Sequence, residues 1–90
     1  MELRQLRTFL TVAGLHSFNQ AASVLNYAQS TVSEQIRVLE QDLEVRLFVR
    51  AGKQIVLTEA GELLLHYAQR MVDLEEEVKT EIQDQGESHG

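Results

Sequence analysis

Gln29, Ser30, Thr31, Ser33, Glu34 and Arg37 have side chains of the kind that read base edges or grip phosphates. Short polar groups and one guanidinium make a poor core, and here they crowd the start of one segment, AQSTVSEQIRVLEQDL (28–43). Within it Val32, Ile36, Leu39 and Leu43 recur at i, i+4, i+7 and i+11, one face of an α-helix. The polar set therefore stands opposite an aliphatic ridge. A second basic pair, Arg50 and Lys53, flanks Ala51-Gly52. An ordinary amphipathic helix and a solvated basic turn would account for either patch alone, so the flanking elements decide.

Other chemistries find no constellation. The chain has no cysteine, which removes disulfides and thiolate metal sites and fits a reducing cytoplasm. His16, His66 and His89 are too scattered to pair as metal ligands. Each is expected to be structural or solvent-facing, and His66, beside the seam of the last helix, is the one of the three with a route to burial. No nucleophile motif surrounds Ser17, Ser30 or Ser33, and no glycine-rich phosphate loop is present. Glu75, Glu76 and Glu77 are consecutive, so a helix spreads them apart. No catalytic residue, metal or cofactor is expected. Nor is there a signal peptide or a segment long enough to span a membrane.

The positioning elements follow from periodicity. Leu3, Leu6, Phe9, Leu10 and Ala13 predict a first helix, ended by Gly14 and the Leu-His-Ser that follows. Arg4 and Arg7 fall on its open side as solvated charge. Asn19, with Ser17 as the alternative, is expected to cap a short second helix carrying Ala21, Ala22 and Leu25. Asn26-Tyr27-Ala28 is a tight connection in which Asn26 can take the left-handed conformation. A short alanine-bearing helix, a three-residue turn and an amphipathic helix form a helix-turn-helix pattern. Leu47-Phe48 and Ile55-Val56-Leu57, around a glycine-containing loop, then predict a hairpin whose tip bears Arg50 and Lys53. Such a tip is a wing, able to reach a minor groove or the backbone.

Thr58 is the expected cap of a last helix running to about Gln83. Ala60, Leu64, Tyr67, Met71, Leu74 and Val78 alternate steps of four and three along it, with Leu63 and Ile82 flanking. A core this small cannot cover so long a seam, so pairing with a second copy is expected. The domain reading is 1–57 as a winged helix-turn-helix, 58–84 as a dimerisation helix and 85–90 as a flexible tail.

The net charge of −6 argues against nucleic acid only until it is located. Residues 1–57 carry a net +1 and residues 58–90 a net −7, so the acidity lies in the last helix and tail. The weakly basic part needs a local patch, helix N-termini and more than one copy to hold phosphates.

The run from Ser17 to Gly61 resembles the DNA-binding domain of LysR-type transcriptional regulators. The matching pieces are Ser17-Phe18, Ala21-Ala22, Leu25, Gln29-Ser30, Val32-Ser33, Gln35-Ile36, Leu39-Glu40, Leu43, Leu47-Phe48, Arg50, Leu57-Thr58 and Ala60-Gly61, in family order and spacing. The resemblance implies a mainly α fold, three helices with a β-hairpin wing followed by a long linker helix. It implies double-stranded DNA as partner, with contacts from residues 18–37 and the wing. With Ser17 added just ahead of that range, the candidate DNA contacts are Ser17, Asn19, Gln29, Ser30, Thr31, Ser33, Glu34, Arg37, Arg50 and Lys53. Arg37 could hold backbone, and Glu34, whose carboxylate cannot clamp a phosphate or guanine, could accept from a cytosine amino group. The resemblance also implies homodimers through Leu64, Tyr67, Met71, Leu74 and Val78, with tetramers open to an intact regulator. A small-molecule effector would act only through a C-terminal domain absent from these residues, and the setting would be the bacterial cytoplasm. Glu34 stands where relatives often carry Arg. Glu44 replaces the usual Gly, so helix 3 is expected to end without a left-handed cap. The competing reading, favoured by the acidic total, is a dimerising protein-interaction module that binds no DNA.

Overall fold

A computed structural model describes residues 1–88. The chain runs α1 (Leu3–Leu15), α2 (Phe18–Leu25), α3 (Gln29–Leu43), β1 (Phe48–Ala51), β2 (Gln54–Leu57) and α4 (Glu59–Ser88). Three short helices enclose one core, a two-stranded hairpin closes its side, and α4 leaves it as a long arm.

The aliphatic faces predicted for α1 and α3 meet as expected. Leu6, Phe9 and Val12 of α1 and Val32, Ile36 and Leu39 of α3 are buried. Ala21 and Ala22 bury α2 against them, their short side chains permitting close approach. Thr8, the buried polar residue among those described, donates its hydroxyl to Gln35 of α3.

The helix ends depart from expectation in instructive ways. Gly14 is helical, and His16 takes the left-handed cap of α1 at φ 55°. Ser17, not Asn19, caps α2, its Oγ accepting from the Gln20 N–H at 3.1 Å. A serine oxygen one position before the helix reaches the third amide, whereas Asn19 already lies inside the first turn. Asn26 adopts the left-handed conformation predicted for it, φ 61°. The left-handed cap of α3 also survives: Glu44 occupies it at φ 58° and accepts the strain that a glycine would avoid. Val45 N–H then bonds Glu40 O at 3.2 Å.

The hairpin is antiparallel, with Phe48 opposite Leu57 and Ala51 opposite Gln54. Its two-residue turn needs a positive φ at the first position, which Gly52 supplies at 63°. Phe48 anchors the hairpin, its ring centroid 5.4 Å from Phe9 and 5.8 Å from Phe18.

Thr58 caps α4 as expected, its Oγ1 accepting from Gly61 N–H at 3.0 Å. That hydroxyl also donates to Arg46 O at 2.6 Å, and Thr58 N–H reaches Leu47 O at 2.9 Å. Gly61 lies so close to this junction that a Cβ there would collide with the Leu47 carbonyl oxygen and come within 2.9 Å of Leu57 Cδ2.

On α4 the inward face carries the small residues Gly61, Ala68 and Val72, all buried. Leu64 lies half-buried against its own core, so it departs from the expected pairing seam. Leu63, Tyr67, Met71, Leu74, Val78 and Ile82 are exposed along the outer side. His66 is exposed too, off the inward stripe, one of the two placements expected of it. Arg7 is not free: its guanidinium pairs with Glu75 and with Glu76 at 2.7 Å, tying α1 to α4. The helix continues past Gln83 to Ser88, with Gly86 and no proline interrupting. Of the tail expected at 85–90, His89 and Gly90 lie outside the described residues.

Gly61→Ala should lower stability by about 2 kcal/mol in urea melts, since the obstacle is backbone rather than a movable side chain. Glu44→Gly should raise stability by about 0.5–1 kcal/mol by relieving the left-handed cap. A loss of stability in that variant would show that the Glu44 side chain contributes more than its backbone costs.

Candidate nucleic-acid interface

The site begins with the rotation of α3. At about 100° per residue, burial of Val32, Ile36 and Leu39 turns Ser30, Thr31, Glu34 and Arg37 to the opposite side. All four are exposed. Gln29 and Ser33 lie on the flank nearest the hairpin, where Gln29 Nε2 donates to Ser33 Oγ at 2.9 Å. That bond orients the Gln29 amide while both groups stay open to solvent on one side.

The hairpin lies on the same side as these polar groups. Gln29 shares a groove of about 460 Å³ with Ser17 and Asn19 from the start of α2 and with Arg50 and Lys53 from the wing. A smaller neighbouring hollow of about 280 Å³ is lined by Gln29, Ser33 and Arg50 above Phe48 and Ile36. Both grooves are open depressions. His16, at the turn before α2, places Nδ1 3.1 Å from Ile55 O and so bridges that turn to β2.

Charge is distributed unevenly over the surface. Arg50 and Lys53 have no carboxylate within ion-pair distance among the described residues. Arg37 does, since its guanidinium grips Glu34 of its own helix. The hydrogen bonds from Arg37 hold the Glu34 carboxyl below the usual carboxylate range, and Glu34 raises Arg37 in turn. The cationic surface facing the groove is therefore the wing, while the outward face of α3 is polar and charge-compensated.

Of the ten candidates, Ser17, Asn19, Gln29, Arg50 and Lys53 converge on one groove, Ser33 borders it, and Ser30, Thr31, Glu34 and Arg37 continue the surface outward. Sequence reasoning passed over Gln54 and Arg46. Gln54 faces Ala51 across the turn and lines the groove. The exposed Arg46 borders the second hollow with its Nε 3.6 Å from Glu40. Strand pairing would have found Gln54, as it is the residue directly after the two-residue turn. No group of three His, Cys, Asp or Glu that could hold a metal occurs among the described residues. Among them, too, no helix is long and apolar enough to cross a membrane.

Comparison with known proteins agrees with this geometry. Residues 3–62 match the family described as bacterial regulatory helix-turn-helix protein, lysR family. The uncharacterized HTH-type transcriptional regulator YwqM of Bacillus subtilis (strain 168) is 49% identical over 79 residues, covering 88% of this chain and 27% of that protein. The chain spans about a quarter of the length of the first such relatives. Among solved structures, the CbnR_DBD-DNA complex superposes with a TM-score of 0.89 at 34% identity, covering 96% of this chain and 99% of that one. The BenM_DBD/catB site 1 DNA complex gives 0.89 at 32% identity, with 93% of each chain covered.

Proposed function

The chain belongs to the lysR family of bacterial regulatory helix-turn-helix proteins, and we propose that it is the sequence-specific DNA-binding domain of a dimeric transcriptional regulator. One observation carries the reading: Gln29 of α3 and the unpaired Arg50 and Lys53 of the wing line a single groove on one side of the molecule. A helix laid in a major groove with a basic hairpin beside it can meet base edges and the neighbouring backbone at once. Solved structures that superpose on the chain include domains described as DNA complexes.

In this reading Gln29 pairs with an adenine, Ser30, Thr31 and Ser33 bond bases or phosphates, and Ser17 and Asn19 meet backbone at the start of α2. Arg50 and Lys53 enter or flank the minor groove. The setting is the bacterial cytoplasm, and no catalytic step is assigned to any residue.

A second copy is part of the proposal. Tyr67, Met71, Leu74 and Val78 form an exposed apolar stripe along α4, with Leu63 and Ile82 at its ends. Pairing through that stripe would carry two copies of α3 to successive major grooves, about 34–36 Å apart or farther in a splayed dimer.

Gln29→Ala should cost about 1–3 kcal/mol on a selected duplex and loosen preference at one base, measured by fluorescence anisotropy. Arg50→Ala should weaken binding to all duplexes alike and flatten the salt dependence by about one ion. Unchanged affinity and preference in Gln29→Ala would remove it as a reader. Met71→Asp should convert the sedimenting species from dimer to monomer without unfolding the core, because Met71 is exposed. An unaltered sedimentation profile would rule the stripe out as the pairing surface.

A further inference from the structure

Glu34 and Arg37 occupy the middle of the outward face of α3 and hold each other side-on. Arg37 Nε donates to Glu34 Oε2 at 3.0 Å, and Arg37 Nη2 donates to Glu34 Oε1. This uses the side edge of the planar guanidinium. Its end edge, formed by Nη1 and the second Nη2 hydrogen, has no acceptor within the described residues. The Arg37 and Glu34 side chains are 54% and 58% exposed, so the pair contributes little to folding. Arg37 lies one helical turn beyond Ser33, which is already bonded to Gln29. Two successive intrahelical pairs therefore orient side chains of the polar front before any partner arrives.

We propose that Glu34 is a positioning residue: it holds Arg37 by one edge so that the opposite edge meets a guanine as a preset fork. The inference rests on the reading of α3 as the recognition helix and specifies how that helix discriminates. Three physical points support it. The end edge of a guanidinium matches the O6 and N7 acceptors of guanine. A locked arginine loses less rotamer freedom on binding than a free one. The adjacent carboxylate cancels the cation and repels phosphate oxygens, so Arg37 gains little from the backbone and keeps its hydrogen-bond geometry for a base. Glu34 then acts through Arg37, and the expected contacts of Arg37 with backbone and of Glu34 with cytosine give way to a single guanine contact.

The experiment selects duplexes from a randomised library with the 90-residue chain, then measures anisotropy against potassium chloride on the selected duplex, its single-base variants and a mixed-sequence duplex. The proteins are the unaltered chain, Glu34→Ala, Glu34→Asp, Arg37→Ala and the double alanine variant, each checked for folding by circular dichroism. Arg37→Ala and Glu34→Ala should each reduce preference for one guanine about tenfold. Glu34→Ala should also bind the mixed duplex more tightly, with a salt slope steeper by about one ion. Glu34→Asp, which keeps the carboxylate, should keep the preference. The double variant should match Arg37→Ala in base preference. Three results overturn the proposal: an effect of Glu34→Ala on preference that persists without Arg37, guanine preference unchanged in Glu34→Ala, or an Arg37→Ala defect equal on all duplexes. An unaltered chain that selects no sequence would instead remove the DNA-binding reading itself, a distinguishable failure.

Discussion

Val32 and Leu39 have no exposed surface and Ile36 almost none. Each aliphatic side chain so placed is worth about 1.5–3 kcal/mol of burial. That ridge sets the rotation of α3, because a turn by one residue would exchange it for Ser33, Arg37 and Glu40. No partner for a guanidinium exists among Leu6, Phe9 and Val12, the surfaces the ridge meets. The outward presentation of Ser30, Glu34 and Arg37 is thus a consequence of what lies beneath them. Ala21 and Ala22 serve the same end by letting α2 approach closely enough to brace the helix start.

The wing is held to this body by two different means. Phe48 packs its ring between Phe9 and Phe18, which belong to α1 and α2. On the other side, Leu47 N–H donates to Glu40 of α3 at 2.7 Å, while Leu47 O accepts from Thr58 at the start of α4. The single residue before β1 therefore joins α3, the wing and α4. Gly61 completes the joint by removing the side chain that would push α4 away. The long arm, the wing and α3 thus share one junction at Leu47. Arg7 adds a second tie farther out, bridging α1 to Glu75 and Glu76.

Much of the architecture was legible because apolar spacing repeats at 3.6 residues in α1 and α3 and changes character at Leu47. Family order and spacing made the recognition segment and wing plain. Other features follow from three-dimensional competition that a linear pattern does not encode. Leu63, Leu64 and Leu65 are consecutive, so hydropathy does not tell which faces inward. The inner stripe runs instead through Gly61, Ala68 and Val72, small residues whose value is close approach rather than hydrophobicity. The pairing of Arg7 with residues near the middle of α4 spans most of the chain and leaves no local trace. The left-handed cap at Glu44 went unforeseen because a glutamate does not favour that conformation, and the one at His16 because Gly14 offers the easier stop two residues earlier. Gln54 becomes legible only with the hairpin register, which makes it the residue directly after the two-residue turn.

The charge pattern connects the proposed interface to the proposed pairing. Arg37 is neutralised by Glu34, and Arg7 by two glutamates, which leaves the wing as the cationic part of the groove. Two free cations displace about two counterions and give a salt slope near −2, too shallow for firm retention on DNA at cellular ionic strength. Two copies double the displaced ions and hence the exponent, and the connection between them converts the second docking into an intramolecular event. The exposed stripe on α4 supplies that connection on the proposed reading. Its acidic neighbours Glu76 and Glu77 line neither hollow beside the wing, and Glu76 is itself engaged by Arg7. An overall charge of −6 is then compatible with a polyanionic partner, because affinity follows the local field at the wing and the number of wings that engage together.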